Sequence, residues 1–446
     1  MALECPKIQT ELPGPKAKVW LQRDRDSVSP SYTRAYPLVA DRGEGCQIID
    51  VDGNRFLDMT AGIAVTATGH CHPEVVAAIK MQAEKLLHMS GTDFYYAPQI
   101  ELAERLGEFM PGPGPKKVFF CNSGAEAIEG AIKLARFQTK RQNIIGFYGA
   151  FHGRTLGALS VTASKAVQRE YFFPLLTGVY HAPYPDPYRI PGGMTPEAYA
   201  TYCVDWIRDT LLGRMVPPSS VAAILVEPMQ GEGGYVVPPH NFHRELKALC
   251  EEHGILYIAD EIQSGIGRTG TFFAIEQFGV VPDIITVAKG IASGLPLGAI
   301  LSRAEIMQWP PGAHASTFGG NPVACMAALV TARLVTDHLM RNAATQGEYL
   351  RAQLRSLQSR HRLIGDVRGL GLMTGAELVR NPATKTRATD ERNAVIETAF
   401  HQGLLLLGCG ANAIRWSPPL TVTREELDVA LRIFASALET VERRMP

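Results

Sequence analysis

Three apolar runs of strand length in this 446-residue chain end in ionisable residues: "VAAILVE" in Glu227, "ILYIAD" in Asp260 and "IITVAK" in Lys289. A lysine at the end of such a run has two readings. In water it is a solvated strand end, the commoner case for one residue taken alone. Kept partly dry, it gives up its proton more easily and can attack a carbonyl. That amine needs partners. A Schiff base with an aldehyde cofactor draws electrons strongly only while the cofactor's ring nitrogen stays protonated, and a fixed carboxylate beside that nitrogen keeps it so. Asp260 ends the preceding run and suits this task. Of the pair Asp260-Glu261, the apolar run before Asp260 marks it as the buried acid and leaves Glu261 as the better candidate for water. Gln263 follows closely enough for its amide to reach the ring's phenolic oxygen. The glycines after Lys289, in "KGIASG", allow a tight turn that leaves the amine facing a ligand.

A phosphate would need its own cradle. In "CNSGAEAIEGAIKLAR", Asn122, Ser123, Gly124 and Ala125 open a strongly helical run. A helix N-terminus favours an anion through its free N–H groups and its dipole, and simple N-capping by Ser123 or Asn122 accounts for the same residues. "STFGGNP" offers Thr317 and a glycine pair for a second close approach. "GAFHGRTLGALS" puts Phe151 and His152 in a glycine-flanked loop, where an aromatic can stack on a flat ring. Arg154 in the same loop suits bidentate recognition of a carboxylate, and equally a surface salt bridge.

The elements that must position these residues alternate along the chain. Helical spacing in "PEVVAAIKMQAEKLLHM", "QIELAERLGEFM" and "AEAIEGAIKLARFQT" is separated by the strand-length runs "KKVFFC", "NIIGFY", "VAAILVEP", "GILYIAD" and "DIITVAK". This predicts an α/β fold, a largely parallel sheet covered on both faces, with ligands at the carboxyl ends of the strands. Glu227, Asp260 and Lys289 would then share one edge. Before the alternation, residues 1–40 read as an arm with little core, and "GCQIIDVDGNRFLDMTAGIAV" reads as a hairpin turning at Asp52-Gly53. Residues 182–193, "APYPDPYRIPGG", read as a surface excursion. The segment after residue 330 predicts a long amphipathic helix, a strand pair in "LIGDVRGLGLMTGAELV" and a final helix. The resulting division is a large domain over 66–330, with 331–446 and the N-terminal 1–65 forming a smaller α+β domain.

Composition narrows the function. Lys+Arg and Asp+Glu both number 44, so the formal net charge is zero and gives no signal for nucleic acid or an anionic membrane. The N-terminus lacks the apolar core of a signal peptide, and no uninterrupted apolar run spans a bilayer. The eight cysteines fall in no CxxC pair or metal-ligand spacing, which predicts a reduced, cytoplasmic protein and no metal site. Cys121 is expected to pack and not to react.

Taken together, "NSGAEAIEGAIKLAR", "FHGRTLGALS", "EPMQGEGGYVVPP", "LYIADEIQSGIGRTG", "AKGIASGLPLGA", "STFGGNPVAC" and "RGLGLMTGAEL" resemble the class III pyridoxal-phosphate aminotransferases, in order from about residue 45 to the C-terminus. Within the class the chain looks most like the 4-aminobutyrate aminotransferases and their broad-specificity ω-aminotransferase and racemase relatives. The resemblance implies a fold-type I homodimer with shared active sites and leaves open whether dimers pair into tetramers. It implies pyridoxal 5'-phosphate on Lys289, which shuttles the proton, with Asp260 at the ring nitrogen and Gln263 at the phenolic oxygen. Phe151 and Ile262 would cover the two ring faces, with His152 beside the cofactor. Ser123, Gly124 and Ala125 would hold the phosphate, helped by Thr317 from the partner subunit; some relatives have a hydroxyl residue where Ala125 stands. For substrates, Arg154 would hold a distal carboxylate. Glu232 would cover Arg415 for one substrate and uncover it for the other, which places it with Lys289 and Asp260 in the catalytic set. Glu227 would orient its neighbours. Ile63, where ornithine-type relatives have tyrosine, tilts the donor towards 4-aminobutyrate; as a residue it also reads as plain strand core. Such an enzyme would move the amino group of an ω-amino acid to 2-oxoglutarate. The alternatives are an ornithine/lysine-type aminotransferase, an amino-acid racemase using the same lysine, and a homologue that has lost catalysis; Lys289 and Asp260 argue against the last.

Overall fold

The structure is a computed structural model and describes residues 5–445; the first four residues of the N-terminal arm lie outside that range. The hairpin forms where the turn residues allow it. Strands β1 (Ala40–Glu44), β2 (Gln47–Asp50) and β3 (Arg55–Asp58) pair in antiparallel order. Gly53 takes φ +88° in the turn between β2 and β3, a conformation that favours glycine.

A seven-stranded sheet carries the centre of the molecule. Its strands are β4 (Lys116–Cys121), β5 (Asn143–Phe147), β6 (Val179–Ala182), β7 (Val221–Val226), β8 (Leu256–Asp260), β9 (Ile284–Val287) and β10 (Gly298–Arg303), in the order β4-β10-β9-β8-β7-β5-β6. Only β10 runs antiparallel to its neighbours. Every residue of β7 and of β9 is buried, as an unbroken apolar run requires when both faces are covered. One face packs on the helix Gly124–Thr139 through Ala127, Ile128, Ala131 and Ala135. The helix Asn241–His253 contributes Phe242, Leu246 and Leu249 to the larger core cluster. Because β7, β8 and β9 are adjacent and parallel, their last residues reach the same edge.

A further sheet is built from β11 (Ile364–Leu370), β12 (Met373–Asn381), β15 (Leu407–Cys409) and β16 (Ala413–Trp416), with the short β13 (Thr386–Arg387) on β12. Strand β14 (Leu404–Leu405) instead joins β3 in parallel, so the N-terminal hairpin is completed by the C-terminal part of the chain.

Two features add detail to the sequence expectations, in the arm and in the long helix, and one, at 182–193, departs from them. The arm contains a helix, Pro15–Ser27, of which only Ala17 is buried. Its first turn is held from a distance: the N–H groups of Lys16 and Ala17 each donate to the Asp52 carboxylate at 2.8 Å, so an acid in the hairpin turn caps the arm. The stretch 182–193 is a surface excursion only in its last residues. Tyr184 is buried, its hydroxyl donating to the carbonyls of Glu227 (3.2 Å) and Pro228 (3.3 Å), and Arg189 pairs with Glu377 of β12. The long helix runs over Pro322–Gln358 and contains a π-helical stretch, Val335–Leu339. Among the described residues it is the one helix long and apolar enough to cross a membrane, but half of its apolar window is buried inside the fold. Ala324, Cys325, Ala327 and Ala328 on that helix belong to the main core.

Candidate active site

Glu227, Asp260 and Lys289 line one cavity of about 420 Å³, together with Ser123, Gly124, Ala125, Phe151, His152, Arg154, Ile262 and Gln263. Lys289 leaves β9 in an unusual way. It sits at φ +44° in the left-handed region, as do Ser293 (φ +46°) and Gly294 (φ +127°), whereas Gly290 does not. The turn is therefore made by the lysine itself and not by the glycine after it, and such strain in a non-glycine residue clusters at functional sites. Burial pushes the Lys289 amine below its ordinary pKa, against the pull of Asp260 and Glu227.

Asp260 is fixed from three sides. Its Oδ1 accepts the Ile262 N–H at 3.0 Å and the Thr286 hydroxyl at 3.3 Å, and its Oδ2 lies 2.6 Å from His152 Nδ1. His152 is buried, and its Nε2 has no hydrogen-bond partner. Glu261 is the correction to the reading of this pair: it is 0% exposed, against 4% for Asp260. Its carboxyl accepts the Ser264 hydroxyl at 2.5 Å and the Ile275 N–H at 2.8 Å on the side away from the cavity. Burial pushes its pKa up to about 7. Glu227 accepts the N–H groups of Phe151 (3.2 Å) and Gly231 (3.0 Å), tying two loops together, and its burial likewise raises its pKa.

The helix Gly124–Thr139 begins with Ser123 as its cap, the hydroxyl accepting the Glu126 N–H at 3.2 Å. Capping and cavity lining coexist here. The N–H groups of Gly124 and Ala125 have no partner within the helix and belong to residues that line the cavity. The approach is close: a Cβ on Gly124 would stand 3.0 Å from Ile262, and one on Gly153 would stand 2.8 Å from the Ala125 methyl. Gln263 is oriented by a residue the sequence reading did not single out. The Tyr235 hydroxyl donates to its Oε1 at 2.9 Å, which leaves the amide nitrogen free to donate. Thr286 and the His152–Asp260 contact also escaped that reading. Tyr235 lay inside a quoted motif, and Thr286 is buried in β9, where its register partner is Asp260.

The substrate residues divide. Arg154 is exposed at the cavity, its guanidinium 5.4 Å from the Phe151 ring centre. Arg415 is buried on β16 and meets Glu232 at 3.2 Å, while the other oxygen of Glu232 meets Lys165 at 2.6 Å. Ile63 is not strand core: it is 45% exposed, at φ +70°, within a turn where Ala61, Gly62 and Ala64 are also left-handed. A β-branched residue there is a true outlier. Thr317 is exposed and lies outside the cavity of its own chain. Cys121 is buried with its thiol pushed up to about 12, a packing residue.

An amine between acids, a carboxylate with fixed partners, a free amide and a helix N-terminus around one cavity fit the reactive groups of pyridoxal phosphate. The profile of the family "Aminotransferase class-III" matches residues 28–438. The chain belongs to the class III aminotransferases. It is 40% identical to an alanine/serine racemase of Pyrococcus horikoshii, over 98% of this chain and 93% of that one. It is 39% identical to the 4-aminobutyrate aminotransferase of Escherichia coli, over 96% and 99% respectively. Among solved structures, an amine transaminase from an uncultivated Pseudomonas species in its pyridoxal-phosphate-bound form superposes with a TM-score of 0.84 at 33% identity, covering 94% of this chain and 98% of that one. As a class III aminotransferase the protein has the type I fold of pyridoxal-phosphate transferases, depends on that cofactor, and works on an amino donor and a keto acid.

Proposed function

We propose that this class III aminotransferase moves the amino group of 4-aminobutyrate or a similar ω-amino acid to 2-oxoglutarate, giving a semialdehyde and glutamate. The observation that carries this reading is the Glu232–Arg415 pair. With Arg415, whose charge acts on Lys289, covered by Glu232, the cavity suits a donor that has no carboxylate beside the reacting carbon, while the exposed Arg154 is free to take the distal one.

Pyridoxal phosphate, when bound, supplies the conjugated ring that takes up charge from the substrate carbon. Lys289, its amine pushed below the ordinary pKa by burial, would carry the proton at that carbon. Asp260, kept in place by His152, Thr286 and the Ile262 N–H, would hold the proton on the ring nitrogen. Gln263 would donate to the phenolic oxygen, Phe151 and Ile262 would cover the ring, and Gly124 and Ala125 would take the phosphate at the helix N-terminus. Glu227 fixes the loops of Phe151 and Gly231. When glutamate occupies the site, Glu232 swings away and Arg415 takes the α-carboxylate. Ile63, smaller than the tyrosine of ornithine-type relatives, would leave room for an ω-amino chain. The exposed position of Thr317 supports a homodimer in which it reaches the partner's phosphate. The reduced cysteines support a cytoplasmic enzyme.

Racemisation is the second reading, and one observation favours it: the racemase from Pyrococcus horikoshii matches as closely as the aminotransferase from Escherichia coli, 40% against 39%. Lys289 would then return the proton to the opposite face of the carbon. A donor panel with 2-oxoglutarate, run beside a chiral assay without keto acid, separates the two. Glutamate formed from 4-aminobutyrate as the faster reaction supports the proposal. D-amino acid formed faster without any acceptor overturns it. In both assays Lys289→Ala abolishes turnover.

A further inference from the structure

Glu232 is held by two cations of different standing. Arg415 is buried, with 7% of its side chain exposed; Lys165 is 41% exposed; Glu232 lies between them at 18%. The shorter contact, 2.6 Å, is to Lys165. Lys165 comes from the loop after the helix Leu156–Val161, in the same stretch of chain as Arg154.

The loop under Glu232 is pinned at several points. Gln230 and Val236 form a backbone bridge, and the Glu232 carbonyl accepts the Gly410 N–H at 2.7 Å. Arg368, itself paired with Asp366 and Glu377, donates to the carbonyls of Gly234 (2.7 Å) and Tyr235 (3.2 Å). With its backbone fixed, Glu232 leaves Arg415 by rotation of its side chain. A half-buried carboxylate that loses its only cation pays for desolvation without compensation, so the position of a second cation decides how easily the rotation occurs.

We propose that Lys165 is a specificity-determining residue: it keeps hold of the Glu232 carboxylate when that side chain leaves Arg415, and so favours substrates that bring an α-carboxylate to Arg415. This rests on the proposed dual-substrate site. Without Lys165, Arg415 is the one cation in direct contact with Glu232 among the described residues, with Arg392 acting on it only through space, and an incoming α-carboxylate must break that pair outright.

The test follows the first half-reaction of the holoenzyme by cofactor absorbance, with L-glutamate, L-alanine and 4-aminobutyrate in separate runs. Lys165→Met should raise KM for the α-amino acids about two- to fivefold, the range for a partly exposed ion pair, with kcat unchanged. The 4-aminobutyrate constants should not move. Lys165→Arg should restore the wild-type KM, and in a Glu232→Gln background Lys165→Met should add nothing. A change shared by all three substrates, a change that persists in the Glu232→Gln background, unchanged KM values, or a wild type that accepts neither α-amino acid would each overturn the proposal. If the wild type ignores 4-aminobutyrate but the α-amino acids respond as described, the ω-donor assignment fails and the role of Lys165 stands.

Discussion

Glu261→Gln tests the electrostatics behind the site without touching the cavity. Glu261 is fully buried, and burial moves its carboxyl from an ordinary 4.5 to about 7, which corresponds to ~3 kcal/mol. The sign follows from where the proton sits. In the unfolded chain the acid loses its proton near 4.5, and in the folded chain near 7. Between those values only the native state holds it, so stability is fully present below the lower pKa and falls as pH rises through the upper one. Glutamine copies the protonated form: its carbonyl can accept the Ile275 N–H and its amide can donate to the Ser264 hydroxyl. The variant does not titrate. Urea unfolding of both holoenzymes at matched concentrations should therefore show the wild type losing about 3 kcal/mol relative to Glu261→Gln as pH rises from about 5 to about 8. Transamination should continue in both. Parallel pH profiles would refute the reasoning, because they would mean that Glu261 titrates alike in the folded and unfolded chains.

Two further substitutions probe the cofactor contacts. Tyr235→Phe removes the hydroxyl that orients Gln263; the loss of ~1 kcal/mol for one hydrogen bond should weaken cofactor binding about fivefold in an absorbance titration, and an unchanged Kd would rule out the orienting role. Gly124→Ala puts a methyl 3.0 Å from Ile262; cofactor affinity should fall about tenfold, in line with ~1–3 kcal/mol for overpacking, while helix content by circular dichroism stays the same. Equal affinity in that variant would mean that the helix start does not set the approach of the phosphate.

The parts of this fold legible in the sequence are those whose environment is set by near neighbours in the chain. Strands buried on both faces must be apolar throughout, so the charge ending each of β7, β8 and β9 stands out and marks a sheet edge. Helical period likewise gave the helices around them. What escaped depends on partners far along the chain. The helix Pro15–Ser27 is polar and is capped by Asp52. Glu261 is buried because Ile275 and Ser264 meet it, although its local sequence suggests a solvated turn. The stretch after Ala182 packs because Arg189 finds Glu377 on another sheet. Of the left-handed turn at 61–64 only Gly62 shows in residue type, since Ile63 and two alanines are poor candidates for positive φ. Strain of that kind is set by the surrounding structure and is legible only there.

One physical cause acts on both Lys289 and Glu227. Desolvation at the sheet edge lowers the lysine and raises Glu227, and in both cases it favours the neutral form. Were Glu227 held fully ionised, it would add to the pull of Asp260 and keep the amine protonated, unable to take a proton from substrate. A Glu227 that tends to neutrality spares Lys289 that second negative charge and still accepts the Phe151 and Gly231 N–H groups, since a neutral carboxyl retains its carbonyl oxygen. Asp260 is held in place by an N–H, a hydroxyl and an imidazole nitrogen. The edge thus sets an amine and an acid that both tend to neutrality beside an acid fixed by three hydrogen-bonding partners. That arrangement lets one lysine work beside two acids, while Glu261, the residue after Asp260, is bonded to Ser264 and Ile275 and lies outside the cavity lining.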